Sequence, residues 1–258
     1  MIFPDISGIF GISPGANFPR ELANGILNRF ASSEPEVLAN LQVIVNSTRM
    51  RHRLTEELIE RGAMLHPRIL TLPEVSQLIP DSYKPNPTHS LVHKFELMAL
   101  VQKLVEAQPD ISAQSSIYAL TKSLSDLIDE MQGEAVPVDK IINLDISDLS
   151  GHWQRSQLFL NIIKKYLENR KTDPDEEAWL RQVIGTLTSY WSEKTPKNPV
   201  LIAGSSGSRA TTRQLIQGII KLPNGAVVLP GFDFTLPEEL WGEKEQVGVP
   251  EDHPQYRN

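Results

Sequence analysis

The stretch from Asp5 to Phe30 constrains what the rest of the chain can become. An apolar run, IleSerGlyIlePheGlyIle (6–12), enters a tight turn, SerProGlyAlaAsn (13–17), and leaves it as PheProArgGluLeu (18–22). Strand, glycine turn and helix in that order have the layout of a phosphate-binding P-loop. Such a loop cradles phosphate with its backbone N–H groups and the helix N-terminus. The residues that carry its chemistry are missing. A P-loop needs Gly, four residues, then Gly-Lys-Ser/Thr. Counted from Gly11, with Gly15 inside the turn, the last three places hold Ala16, Asn17 and Phe18. Ala16 brings a Cβ where the backbone should approach the phosphate. Asn17 brings no charge, and Phe18 no hydroxyl for Mg²⁺. Two readings stand. One is a nucleotide-binding scaffold with a degenerate site, whose vestigial loop is Gly11, Gly15, Ala16, Asn17 and Phe18. The other is an ordinary strand–turn–helix connection.

The alternation continues beyond this unit. Phe18, Leu22, Ile26 and Phe30 form a helical stripe, and GluProGlu (34–36) breaks the chain. Leu41 to Val45 reads as a buried strand, leading to a helix with Leu54, Leu58 and Ile59 on one side. ArgIleLeuThrLeuProGluVal (68–75) reads as a third strand closed by Pro73, and 81–88 as a proline-rich loop. In the next helix Leu91 and Phe95 share one line, and Val92, Leu97, Leu100, Val101, Leu104 and Val105 widen the apolar face. From about Ser115 only helical spacing remains: Ile117, Leu120, Leu124, Leu127, Ile128 and Met131, then Phe159, Ile163 and Leu167, then Trp179, Val183, Ile184, Leu187 and Trp191. Strand patterns return at 200–203 and 226–229, and 237–241 suggests one helical turn. This order predicts an α/β protein with a parallel sheet interrupted by a helical insertion. The sheet is expected from 1–114 and 196–240, the insertion from 115–195, and a polar tail or the start of a following region at 241–258.

Two strand ends carry groups suited to phosphate. AsnSerThrArgMetArgHisArg (46–53) offers Thr48, Arg49 and Arg51 at a helix N-terminus. GlySerSerGlySerArg (204–209) offers Ser205, Ser206 and Arg209, with Thr211 and Arg213 just beyond. A solvated helix face explains the first equally well, and a flexible polar loop the second. AspGluMetGln (129–132) looks like the Mg²⁺-holding Asp-Glu-x-Gln of helicases, but it falls at the end of an amphipathic helix and not of a strand. His152 and Trp153 read as a helix start and a core aromatic. Asp233, at another strand end, has no evident second carboxylate to share a metal. No catalytic residue, metal site or cofactor is therefore assigned. With no cysteine the chain forms no disulfide, zinc-thiolate or iron–sulfur site, which fits a reducing compartment. The formal charge of −7 argues against a strongly basic nucleic-acid module but leaves room for a local patch. No run is long and apolar enough for a membrane span, so no membrane partner is expected. The polar end, GluAspHisProGlnTyrArgAsn, closes no element and suggests a piece of a longer chain.

Several stretches resemble the N-terminal part of the B subunit of AddAB-type helicase–nucleases, in its alphaproteobacterial form. They are ProGlyAlaAsnPhePro (14–19), ValAsnSerThrArgMet (45–50), SerAspLeuIleAspGluMetGlnGlyGlu (125–134), GlyHisTrpGlnArg (151–155), AlaGlySerSerGlySer (203–208), LeuProAsnGlyAlaValValLeuProGlyPheAsp (222–233) and HisProGlnTyr (253–256). The resemblance implies a RecA-like, superfamily 1 helicase-like first domain with a helical insertion. In that family it lies within a longer cytoplasmic subunit bearing a second helicase-like half and a C-terminal nuclease with an iron–sulfur cluster. The implied role is non-catalytic. The domain would hold single-stranded DNA during double-strand-break repair and dock an AddA-type motor subunit, with Thr48, Arg49, Arg51 and residues 204–209 on the DNA backbone. An active nucleotide enzyme with an atypical loop and a purely structural docking module are the alternatives.

Overall fold

The computed structural model describes residues 4–62, 65–86, 90–107, 116–137 and 175–236, with Lys140, Lys164 and Tyr166 besides. The readings at 141–163, at Leu167 and at 237–258 lie outside the described residues. The chain divides into two compact units, one of 1–84 with 183–258 and one of 85–182.

The first unit is built on five parallel strands: β1 (Gly8–Ile12), β2 (Gln42–Val45), β3 (Arg68–Thr71), β4 (Val200–Ala203) and β5 (Gly225–Pro230). Their spatial order is β1-β5-β4-β2-β3. Val45 pairs with both Thr71 and Ala203, and Ile12 with Pro230, so the carboxyl ends share one edge. The strand runs are near-continuously apolar because both faces are covered. On one face Val43, Val45, Leu201, Ala203, Ala226 and Val228 form one core with α1 (Phe18–Phe30) and α3 (Thr48–Glu60), through Leu22, Ile26, Leu54 and Leu58. The alternate residues Ile44, Ile202, Val227 and Leu229 point to the opposite face, where they are equally buried. There α7 (Ala210–Ile220) packs on β4 and β5. The last turns of α6 (Glu176–Glu193) cross α7 closely: a Cβ on Gly218 would stand 2.5 Å from Thr188 Cγ2.

Prolines shape the connections differently from expectation. GluProGlu does break the chain, but Pro35 also opens a short helix, α2 (Pro35–Ala39), at its first turn. The expected third strand stops at Thr71. Pro73 starts a 3-10 helix, Leu72–Leu78, capped by Thr71 and Glu74 in a capping box. A second 3-10 turn follows at Asp81–Tyr83.

The second unit is helical. Its α4 (Ser90–Ala107) packs against α5 (Ile117–Gly133) through Leu97, Val101, Leu124 and Ile128. Residues 90–107, expected with the sheet, therefore belong with the helical unit, because their apolar surface faces α5. The line through Leu91 and Phe95 is the exposed one, at 70% and 65%, and Leu97 with Val101 is buried instead. The boundary falls inside α6, whose Val183, Ile184, Leu187 and Trp191 are buried in the first unit and not in an insertion running to 195.

The turn into β5 depends on Gly225, where an added Cβ would lie 1.9 Å from the Ile219 carbonyl oxygen. Gly225→Ala is expected to destabilise the sheet unit by about 2 kcal/mol, as overpacking against rigid backbone does. Chemical denaturation of the variant beside the parent chain measures it.

Candidate nucleic-acid interface

The crossover β2–α3–β3 moves along the sheet in one direction, and β4–α7–β5 moves in the other. Right-handed crossovers in opposite directions put α3 and α7 on opposite faces. Between the adjacent strands β2 and β4 the strand order therefore reverses. Ligands of open α/β sheets bind outside the carboxyl ends of the strands at such a point. Both phosphate-suited stretches sit there, one after β2 and one after β4. Asn46 ties them together, its Nδ2 donating to the Gly204 carbonyl at 2.7 Å.

On the β2 side Ser47 caps α3. Its Oγ accepts from the Met50 N–H at 3.2 Å and donates to Asn46 Oδ1. That leaves the Thr48 and Arg49 N–H groups at the helix start without an acceptor among the described residues, and both residues are exposed. The three arginines of this stretch separate clearly. Arg51 Nη1 holds both Glu74 carboxylate oxygens at 2.8 Å. Arg53 pairs with Glu56 at 3.3 Å. Arg49 makes no ion pair among the described residues. Glu74 is held at about 2 by the Thr71 N–H first and by Arg51 next, so it keeps its charge and its hold on Arg51. On the β4 side Ser205 and Ser206 are half-buried and Arg209 is exposed. Ser205 Oγ accepts from the Gly207 N–H at 3.3 Å, which folds the loop back on itself. Arg209 opens α7 without using its side chain as a cap.

The loop after β1 lies on the same edge but is built differently. Asn17 caps α1 with its own side chain, accepting from the Arg20 N–H at 3.4 Å. Pro19 has no N–H, the Ala16 N–H goes to the Ser13 carbonyl, and the Glu21 N–H to the Asn17 carbonyl. In the first turn of α1 this leaves the Phe18 N–H without an acceptor among the described residues. The Phe18 ring lies against Gly204, its edge 3.3 Å from where a Cβ would stand, so carbon occupies the place of a metal-binding hydroxyl. Gly11 is glycine for a different reason than phosphate. A Cβ there would stand 2.5 Å from Phe232, whose N–H donates to the Ile12 carbonyl at 2.9 Å. Asp233 accepts from the N–H and the hydroxyl of Thr235 in a local turn. Among the described residues no group of three His, Asp or Glu is placed to hold a metal ion, and no helix is long and apolar enough to cross a membrane.

Asp129 and Gln132 fall in the helical unit, at the end of α5. Gln132 Nε2 donates to the buried Asp175 carboxylate at 3.1 Å, and the Tyr166 hydroxyl donates to its other oxygen at 3.1 Å. His93 Nδ1 lies 3.1 Å from that same oxygen, off the hydrogen-bond direction. This network of side chains from several segments was not legible from spacing. It accounts for Gln132 without a metal. Burial, then the nearby Asp175 and Glu177 charges, push Asp129 up to about 6.

No family model and no curated protein matches the chain. The fold and this edge define an α/β protein with an all-parallel sheet, compatible with a RecA-like fold.

Two outcomes are expected. Asp129 has a folded value raised above its ordinary 3.8, so its favourable contribution is full below about pH 4 and is lost as pH rises through about 6. Asp129→Asn should then stabilise the helical unit at pH 7.5 by about 1 kcal/mol, after screening of a half-buried group, and by much less at pH 4. Amide exchange across α5 at the two pH values reads this. Separately, millimolar MgATP should leave the unfolding temperature unchanged, whereas a working site at 100 times its dissociation constant would stabilise by about 2.7 kcal/mol.

Proposed function

We propose that this chain is a non-catalytic, superfamily 1 helicase-like domain that holds the backbone of single-stranded DNA. The reading includes membership of a double-strand-break repair complex whose AddA-type subunit supplies the motor. The observation that carries it is the contrast along one sheet edge. The loop after β1 has no lysine, an N-cap side chain and a proline at its helix start, and a phenyl ring in place of a hydroxyl. The neighbouring edge between β2 and β4 presents exposed Thr48 and Arg49 beside Ser205, Ser206 and Arg209, with the two loops joined by Asn46. Main-chain N–H groups, hydroxyls and guanidinium are backbone ligands and carry no sequence information directly, so holding without base reading is the role they suit. Arg51 is a positioning residue in this scheme: its pair with Glu74 fixes the first turn of α3. The acidic total charge makes affinity depend on this local patch, and the intact complex supplies further contacts.

Arg49→Ala should weaken binding to an unstructured oligothymidine and flatten the salt dependence, lowering the slope of log K against log salt by about 0.7 for one lost phosphate contact on a single strand. Fluorescence anisotropy at several salt concentrations measures both. An unchanged slope, or no binding by the parent chain alone or with its motor subunit, would overturn the reading.

A further inference from the structure

We infer that Phe234 is a stacking platform for a base of the single strand held at the carboxyl edge of the sheet. The inference rests on the DNA reading and carries it from the backbone to the bases. It starts from a ring in an unusual place. Phe234 follows β5 and is 64% exposed. Because the strands are parallel, the end of β5 lies on the same edge as the loops after β2 and β4. Exposed Ile59, Leu65 and Ile220 instead come shortly before β3 and β5, at the opposite edge.

The local structure holds this ring in place. Gly231, at φ +64°, turns the chain as it leaves β5. Phe232 then lies over Gly11, and its N–H donates to the Ile12 carbonyl at 2.9 Å. The Asp233 carboxylate accepts from the N–H and the hydroxyl of Thr235 at 2.8 and 2.6 Å, which closes a turn around Phe234. The Phe232 ring supports the Phe234 ring from one side, with centres 4.9 Å apart and planes inclined at 59°. A ring fixed before binding loses little freedom when a base stacks on it. Such stacking is tolerant of sequence, because every base has a π-face. It therefore suits a site that holds a strand without reading it.

Its position fits the same strand. The loop after β4 stays beside β5, where the Gly204 N–H donates to the Val228 carbonyl at 3.1 Å. Two strand spacings of about 4.8 Å separate β5 from β2. Phosphate ligands at Thr48, Arg49 and Ser205 thus lie on one side, and the open ring lies toward β1. A short run of nucleotides reaches both.

The test uses the whole chain, oligothymidine, and an abasic deoxyribose-phosphate oligomer of equal length, followed by fluorescence anisotropy. Phe234→Ala should weaken oligothymidine binding about tenfold and leave its salt slope unchanged, because no phosphate contact is lost. Phe234→Trp should retain the affinity. On the abasic oligomer the parent and Phe234→Ala should bind alike, which a general loss of fold would not allow. Equal oligothymidine affinity of parent and Phe234→Ala would overturn the inference and leave the DNA reading standing. So would an equal loss on both oligomers. A parent chain that binds neither oligomer would overturn the DNA reading, and this inference with it.

Discussion

A parallel sheet whose strands are only four to six residues long has to be covered on both faces, and the rest of this structure follows from that requirement. All four residues of β4 are buried, so helices must reach both sides of it. Chain order and right-handed crossovers meet the need in a particular way. The crossovers around β2 and β4 run apart, and their helices go to opposite faces. The reversal leaves a crevice at the strand ends, and Asn46 bridges its floor. Where the site lies is thus a consequence of how the core is closed.

The edge is chemically divided along its length. At β1 the helix start is shaped by the chain itself: Asn17 caps it, Pro19 brings no N–H, and the Phe18 ring packs on Gly204. At β2 the first turn of α3 is held by Ser47 and by the Arg51–Glu74 pair, which leaves Arg49 outward. One strand end runs into a capped helix start with a packed phenyl ring and the next into a helix start lined by polar side chains, although both began as strand–loop–helix in sequence.

Much of the fold was legible because its signals are local. Period-3.6 stripes marked α1, α5 and the second half of α6, and β-branched runs marked β2, β4 and β5 to within a residue or so. The misreadings have local causes too. Pro73 reads as the end of a strand, yet a proline is as welcome in the first turn of a helix, and the Thr71–Glu74 box decides between them. The line through Leu91 and Phe95 is apolar, but Leu97 and Val101 face α5, and periodicity cannot choose between two apolar faces of one helix. Of the site, residue types were readable and their engagement was not. Arg49, Arg51 and Arg53 are equivalent in sequence, and only folding brings Glu74 onto Arg51.

The sequence by itself determined the alternation of strand and helix, the absence of the P-loop lysine and hydroxyl, and the small polar character of the loops after β2 and β4. Those properties depend on residue type and on neighbours within a few positions. Tertiary structure decided which strands adjoin, which arginine of the 49–53 stretch meets Glu74, and that Gly11 is glycine to admit Phe232. Each of these rests on contact between residues far apart in the chain, as Asn46 and Gly204 are, and no local pattern of charge or hydrophobicity encodes such a meeting.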